Sequence, residues 1–183
     1  SILVSDGRVR DIYVRAITRS ENSPDLHLAV RANTSGKTQH YAAATRDALA
    51  LLDSRGIKPA AFLIDTIISS SGVVSPPPGY LKMVAEIVNE AGALFIADEV
   101  QPGFGRTGRC FWGFEADGFV PDIVTMGKPM GNGHPLAAVV VKRELVEAFS
   151  GYSHYFNTFG GNPVAAAAGL AVLNEIDEKG LQQ

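Results

Sequence analysis

The sequence predicts an α/β fold, a mostly parallel sheet with flanking helices. Short apolar runs recur: Ala61-Phe62-Leu63-Ile64, Leu94-Phe95-Ile96-Ala97 and Ile123-Val124-Thr125-Met126. Runs this short, bounded by Gly, Pro or charge, read as buried strands of a parallel sheet. The order also alternates: strand 61–65, helix 80–91, strand 93–97. That is a βαβ unit, whose crossover should be right-handed. Finally, 46% hydrophobic and 19% charged residues over 183 positions suit one sizeable domain with a filled core.

The same numbers exclude several classes. A net charge of −3 gives no electrostatic case for nucleic acid, and no basic run supports a membrane surface. No apolar stretch is long enough to span a bilayer. No charged start followed by an apolar run marks a signal peptide. Cys110 is the single cysteine, so there is no internal disulfide framework, and a reducing compartment, the cytoplasm, is expected. The chain begins at Ser1 inside a strand-like run, which points to a piece of a longer protein. No residue is assigned to a metal.

The elements follow in order. Residues 2–17 hold two β-prone runs around Asp6-Gly7, a hairpin-turn signal. Residues 20–24 are turn-like, and Leu28-Ala29-Val30 is a weak strand. Gly36-Lys37-Thr38 matches the end of a P-loop. Position 31, where that motif needs glycine, is Arg, so the match fails. Residues 41–54 form a helix with Ala43, Ala44, Ala48, Leu51 and Leu52 on one face, closed by Gly56. Strand 61–65 ends in Asp65-Thr66. Ser69-Ser70-Ser71-Gly72 and Pro76-Pro77-Pro78-Gly79 form a rigid loop. Residues 80–91 read as a helix with Leu81, Val84, Ala85, Ile87, Val88 and Ala91 apolar, and Gly92 ends it. Strands 122–127 and 136–141 follow, then a short helix, 142–149. Asn162 caps a helix that opens with Pro163 and runs to about 178. Its alanine-rich first half suggests close packing against another backbone.

Two of the apolar runs end in one ionisable residue each: Asp98 after 94–97, Lys128 after 123–126. In open α/β sheets ligands bind outside the carboxyl ends of the strands. A carboxylate and an amine at two such ends are what a pyridoxal 5′-phosphate (PLP) site requires: an aspartate for the pyridinium nitrogen, a lysine for the imine. Asp98 alone reads equally well as a turn former or helix cap. Glu99-Val100-Gln101 is read as an extended continuation, putting Asp98 and Val100 on one side and Glu99 on the other. Lys128 alone reads as a solvated charge. Its framing by Met126-Gly127 and Pro129-Met130-Gly131-Asn132-Gly133 instead suggests a fixed, partly buried amine with a lowered pKa. Thr158, among glycines just before a helix start, suits a phosphate oxygen, or an ordinary helix-entry turn. His134 receives no role. Arg106 is read as a surface residue that serves at most a subunit contact. Gly103, Gly105 and Gly108 do not form a dinucleotide fingerprint.

Three stretches together, 95–108, 121–138 with Gly127-Lys128-Pro129-Met130-Gly131-Asn132-Gly133-His134-Pro135, and 157–173, resemble the class III (ω-type) aminotransferases, PLP enzymes of fold type I. Pro77-Pro78-Gly79-Tyr80-Leu81 is similar to that family too. The clear match covers 60–173, whereas 1–55 matches poorly. The resemblance implies part of a PLP-binding large domain, without the upstream phosphate loop and ring-stacking aromatic and without the C-terminal small domain. It implies Lys128 as the Schiff-base lysine and acid/base, Asp98 at the pyridinium nitrogen, Val100 supporting the ring and Gln101 near its phenolic oxygen. Thr158 would bind the phosphate of the cofactor held by the other subunit of a homodimer. The substrates implied are a small-molecule amine or amino acid and a keto acid or aldehyde acceptor. The Gly127 to Pro135 wording is closest to the branch that contains phospho-lyases acting on aminoalcohol phosphates, which keeps elimination as the alternative reaction. A non-catalytic module on the same sheet is the third reading. Two departures weaken substrate inference: Asp65-Thr66 stands where the family has Glu-Pro or Glu-Ser, and Ile68 where it has Gln.

Overall fold

The computed structural model describes the backbone of residues 2–5, 8–18 and 26–31. It describes 38–69 and 76–182 with their side chains, His40 excepted. The strands are β1 (Ile2–Ser5), β2 (Arg8–Thr18), β3 (Leu26–Arg31), β4 (Pro59–Asp65), β5 (Leu94–Asp98), β6 (Ile123–Met126) and β7 (Ala138–Val141). The α-helices are α1 (Thr38–Ser54), α2 (Tyr80–Glu90), α3 (Arg143–Tyr152) and α4 (Pro163–Glu178). Two 3-10 turns, Gly113–Asp117 and Lys128–Gly131, complete the framework.

All seven strands form one sheet, ordered β1-β2-β4-β5-β6-β7 with β3 on β2. In the β4-β5-β6-β7 part, two of three pairings are parallel: β4 with β5 and β5 with β6. β7 pairs antiparallel with β6, and β2 pairs antiparallel with β4. β1 and β2 run antiparallel with Ser5 opposite Arg8, as a hairpin requires. The Asp6-Gly7 turn itself, the 20–24 turn, Gly36-Lys37 and the 70–75 part of the Ser/Pro loop lie outside the described residues.

The core lies between the sheet and the α1/α2 pair. Phe62, Phe95 and Ala97 point to it from β4 and β5, and Tyr80, Leu81, Val84, Ala85, Ile87 and Val88 from α2. Phe95 packs between Phe62, whose ring is tilted to it (centroids 5.4 Å), and Phe119, which meets it edge to face (5.1 Å). The opposite sheet face is less covered: Leu63 is 43% exposed.

The α1 face differs from the sequence expectation. Ala42, Ala44, Thr45, Ala48 and Leu52 are buried, whereas Ala43 is exposed and Leu51 only half-buried. The helix begins at Thr38, three residues earlier than expected, and Thr38 Oγ1 donates to the Pro78 carbonyl at 3.0 Å. Ala91, read as the last residue of α2, follows the helix end and is exposed. Gly56 and Gly92 both take positive φ past their helices, which relieves the left-handed residue of its Cβ penalty.

Long-range polar contacts fix the loops. Asp122 Oδ2 accepts from the Phe95 amide at 2.7 Å and Oδ1 from Lys142 Nζ at 2.5 Å, tying β5, β6 and β7 at one edge. The hydrogen bond to Asp122 holds the Lys142 amine above its ordinary pKa. Asp117 Oδ1 and Oδ2 accept from the Gly79 and Leu81 amides, each at 2.8 Å. These are orphan donors of the first α2 turn, so a side chain from a later loop serves as its cap. Asn162 Oδ1 accepts from Ala165 N at 3.0 Å, with Pro163 first in α4.

Candidate functional site

β5 and β6 run side by side with Asp98 in register with Thr125. Both strands finish at the same edge. Asp98 is the last residue of β5, and Lys128 follows the end of β6 by two residues. The acid and the amine therefore leave neighbouring carboxyl ends. Asp98 is half-buried and its Oδ1 accepts from Val100 N at 3.0 Å and from Thr125 Oγ1 at 3.3 Å.

The chain does not continue extended beyond Asp98. It turns at Val100 through Thr107, with Gly103 N donating to the Glu99 carbonyl at 3.1 Å. The reason is local: the Asp98 carboxylate captures the amide two residues on, the bond that makes an Asx turn. Val100 and Gln101 are half-buried in this turn. Lys128 opens the 3-10 turn Lys128–Gly131 and is exposed, not partly buried. The apolar run before it stops at Met126, and Gly127 swings the chain out of the sheet. A Cβ at Gly127 would make ordinary contact with Val100 Cγ1 at 3.5 Å and the Ala137 Cβ at 3.8 Å. Its absence leaves a small cradle between Asp98's loop and Lys128's turn.

Thr158 is not brought to this edge within the chain. It is exposed, between α3 and α4, in a stretch where Asn157 Oδ1 accepts from Phe159 N (3.1 Å) and Gly160 N (3.0 Å). Around it Tyr152, Tyr155, Phe156 and Phe159 are between 76% and 94% exposed. α4 packs on the Lys128–Gly131 turn. A Cβ at Gly169 would come within 2.7 Å of Leu136 Cδ2, so the close neighbour of this helix face is a side chain and not the backbone that its alanines suggest. Of α4, only Ala165 is buried. A cleft of about 620 Å³ lies between Phe104–Arg106, Pro129–Asn132 and α4.

The residue that sequence reasoning passed over is Glu99. It is completely buried. Its Oε1 accepts from Thr66 Oγ1 (2.9 Å) and Phe114 N (3.0 Å), and its Oε2 from Gly113 N (2.8 Å). Burial pushes its carboxyl up, aided by the charge of Asp65 and opposed by the three hydrogen bonds. Gly113 has no room for a side chain: a Cβ would sit 2.1 Å from Thr66 Oγ1. At the end of β4, Asp65 is in register with Asp98 and accepts from Ile67 N (3.2 Å), Ser69 N (2.8 Å) and the Ser69 hydroxyl. Ile68 is buried there at φ 51°, a conformation a β-branched residue rarely takes.

Adjacent parallel strands that set an acid and an amine at their carboxyl ends have the layout of the large domain of PLP enzymes of fold type I. A family profile described as Aminotransferase class-III matches residues 5–183. The chain belongs to the class III aminotransferases, a PLP-dependent family. It is 41% identical over 174 residues to the human mitochondrial alanine–glyoxylate aminotransferase 2, covering 95% of this chain and 32% of that one. It is 48% identical over 132 residues to ethanolamine-phosphate phospho-lyase homolog 1 of Caenorhabditis elegans, 71% of this chain and 28% of that one. Among solved structures, a phospholyase from Arthrobacter in complex with phosphoethanolamine superposes with a TM-score of 0.75 at 47% identity, over 79% of this chain and 34% of that one. The chain thus spans about a quarter to a third of these proteins. No helix among the described residues is long and apolar enough to cross a membrane.

Proposed function

We propose that the intact protein carrying this chain is a PLP-dependent aminotransferase. It would move an amino group between an amine or amino acid and a keto acid or aldehyde. The observation that carries this is the placement of Asp98 and Lys128 at the carboxyl ends of adjacent parallel strands. The donor set suits the cofactor. Asp98 offers a carboxylate oriented by Thr125 and by the Val100 amide, and Gly127 leaves space beside Val100.

When bound, PLP supplies the electron sink for chemistry at the carbon bearing the amine. Asp98 would hold a proton on the ring nitrogen by offering it a negative partner. Val100 would support the ring, and Gln101 would serve its phenolic oxygen. Lys128 Nζ would hold the cofactor covalently and would carry the proton to and from the substrate carbon. Its exposed position at the sheet edge leaves it open to incoming ligands. Thr158 would bind the phosphate of the cofactor in the second subunit of a homodimer. The bare aromatic side chains around it support a covered interface there. A reducing compartment such as the cytoplasm suits the lone Cys110.

One finding favours a second reaction, elimination of phosphate and ammonia from an aminoalcohol phosphate. Two of the similar proteins carry phospho-lyase names, and the Gly127 to Pro135 stretch has that wording. Borohydride reduction of the PLP-loaded intact protein should fix the cofactor on Lys128, as read by peptide mapping. An adduct on another lysine refutes the assignment. Consumption of an amino acceptor then identifies the transaminase, and inorganic phosphate released from phosphoethanolamine without an acceptor identifies the lyase.

A further inference from the structure

We propose that Glu99 is a positioning residue for Asp98, locking the carboxyl end of β5 between β4 and the 113–114 turn. The inference rests on the reading of Asp98 as the partner of the ring nitrogen. Glu99 has no exposed surface, so it touches no ligand itself. It is held on every side. Its amide donates to the Thr125 carbonyl at 2.8 Å, and its carbonyl accepts from Gly103 N. Its carboxyl collects Thr66 from the exit of β4 and Gly113 and Phe114 from the following loop.

Asp98 is the next residue back, and it shares a partner with Glu99. Thr125 gives its carbonyl to the Glu99 amide and its hydroxyl to Asp98 Oδ1. A shift of Glu99 therefore moves both ends of the short link that aims the Asp98 carboxylate. Fully burying an ionisable side chain is costly unless its polar atoms are paired. Here each carboxyl oxygen is paired, and the turn at Gly113 leaves no spare volume around it. A loop that needed only to be closed does not require a buried acid beside the site. A carboxylate that must be aimed within a fraction of an ångström does require fixed support.

The test is a double-mutant cycle in the intact PLP-loaded protein, with Glu99→Gln, Asp98→Asn and the pair. Two further readouts accompany turnover. One is the pH at which the visible absorbance of bound cofactor changes. The other is cooperative urea unfolding of the cofactor-free proteins. Glu99→Gln should lower kcat about ten- to a hundredfold, the usual range for supporting-shell partners, with KM close to the parent value. It should move the absorbance midpoint in the same direction as Asp98→Asn. The double variant should be no slower than Asp98→Asn alone, because both changes act through one carboxylate. Multiplying losses with an unmoved midpoint would overturn the proposal and leave Glu99 a plain loop staple. If Glu99→Gln shows no cooperative unfolding, Thr66→Val replaces it. That variant keeps the acid and removes one donor, and it should shift kcat and midpoint the same way by less. Parent-like values for a folded Thr66→Val then overturn the proposal. Should Asp98→Asn itself leave turnover and midpoint unchanged, the ring-partner reading fails and takes the Glu99 role with it. That result is distinct from additive loss.

Discussion

Thr125 donates its hydroxyl to Asp98 Oδ1 at 3.3 Å across the parallel β5–β6 pair. The two residues are in register, so the strand ladder itself sets their spacing. A carboxylate at the open end of one strand is thus steered by the strand beside it, two residues before that strand yields Gly127 and then Lys128.

Asp98→Asn should keep the fold and lose turnover. The amide oxygen can still accept from Val100 N and Thr125 Oγ1, so little structure is spent. The negative partner of the ring nitrogen is gone. Removing one partner of a dry ion pair costs roughly 3–5 kcal/mol, which is on the order of hundreds-fold or more in rate. Turnover near the parent value, in a variant with parent-like melting, would take Asp98 out of the chemistry.

Thr158→Val should weaken PLP retention without changing attachment at Lys128. A hydrogen bond to a charged group contributes roughly 1.5–3 kcal/mol, so affinity should fall about ten- to a hundredfold. A mixed dimer sharpens the assignment, with Lys128→Ala on one chain and Thr158→Val on the other. With phosphate binding across the twofold, both lesions fall on one site and the other keeps full affinity. Weakened binding at the remaining lysine instead shows that Thr158 acts within its own chain.

Glu99 should leave a signature in the pH dependence of stability. Burial holds its carboxyl above the ordinary value of 4.5. A raised folded-state pKa means that its contribution is fully present below the unfolded value. That contribution is lost as pH rises through the folded one. The stability advantage of the parent over Glu99→Gln should therefore shrink as pH rises above about 4.5. Urea unfolding of both proteins at a series of pH values checks this. A constant difference contradicts it.

Gly113→Ala should destabilise, because the new methyl group would overlap Thr66 Oγ1. Overpacking of this kind costs typically about 1–3 kcal/mol. Thr66→Ala in the same chain removes the clashing oxygen and should restore part of the loss. A double variant less stable than both singles would show that the clash is not the cause.

The strands and the edge that carries Asp98 and Lys128 were legible because their signals are local. The apolar runs before Asp65, Asp98 and Gly127 each lie within one strand, and Asn162-Pro163 marks a helix start by adjacent residues. Glu99 was not legible. Next to Asp98 it reads as a second charge, and its partners Thr66, Gly113 and Phe114 lie 33, 14 and 15 positions away. No periodicity links them. Gly113 between Trp112 and Phe114 was the available hint, a glycine with bulky neighbours and no turn signature. The turn at Val100 was misread for a different reason: the extended backbone of the strand was carried on past its end, but the Asp98 side chain captures the Val100 amide first. The exposure of Lys128 follows from the outward swing at Gly127, which an apolar count cannot register.

Asp117 caps α2 from 38 residues downstream. The first turn of the crossover helix and the loop after β5 therefore belong to one cooperative opening unit. The loop cannot peel away without stripping the helix of its cap, so amide hydrogens at Gly79 and Leu81 should exchange no faster than that loop detaches. The crossover helix takes its resistance to fraying from a segment synthesised after it, and it is fully secured only once the chain has passed Asp117.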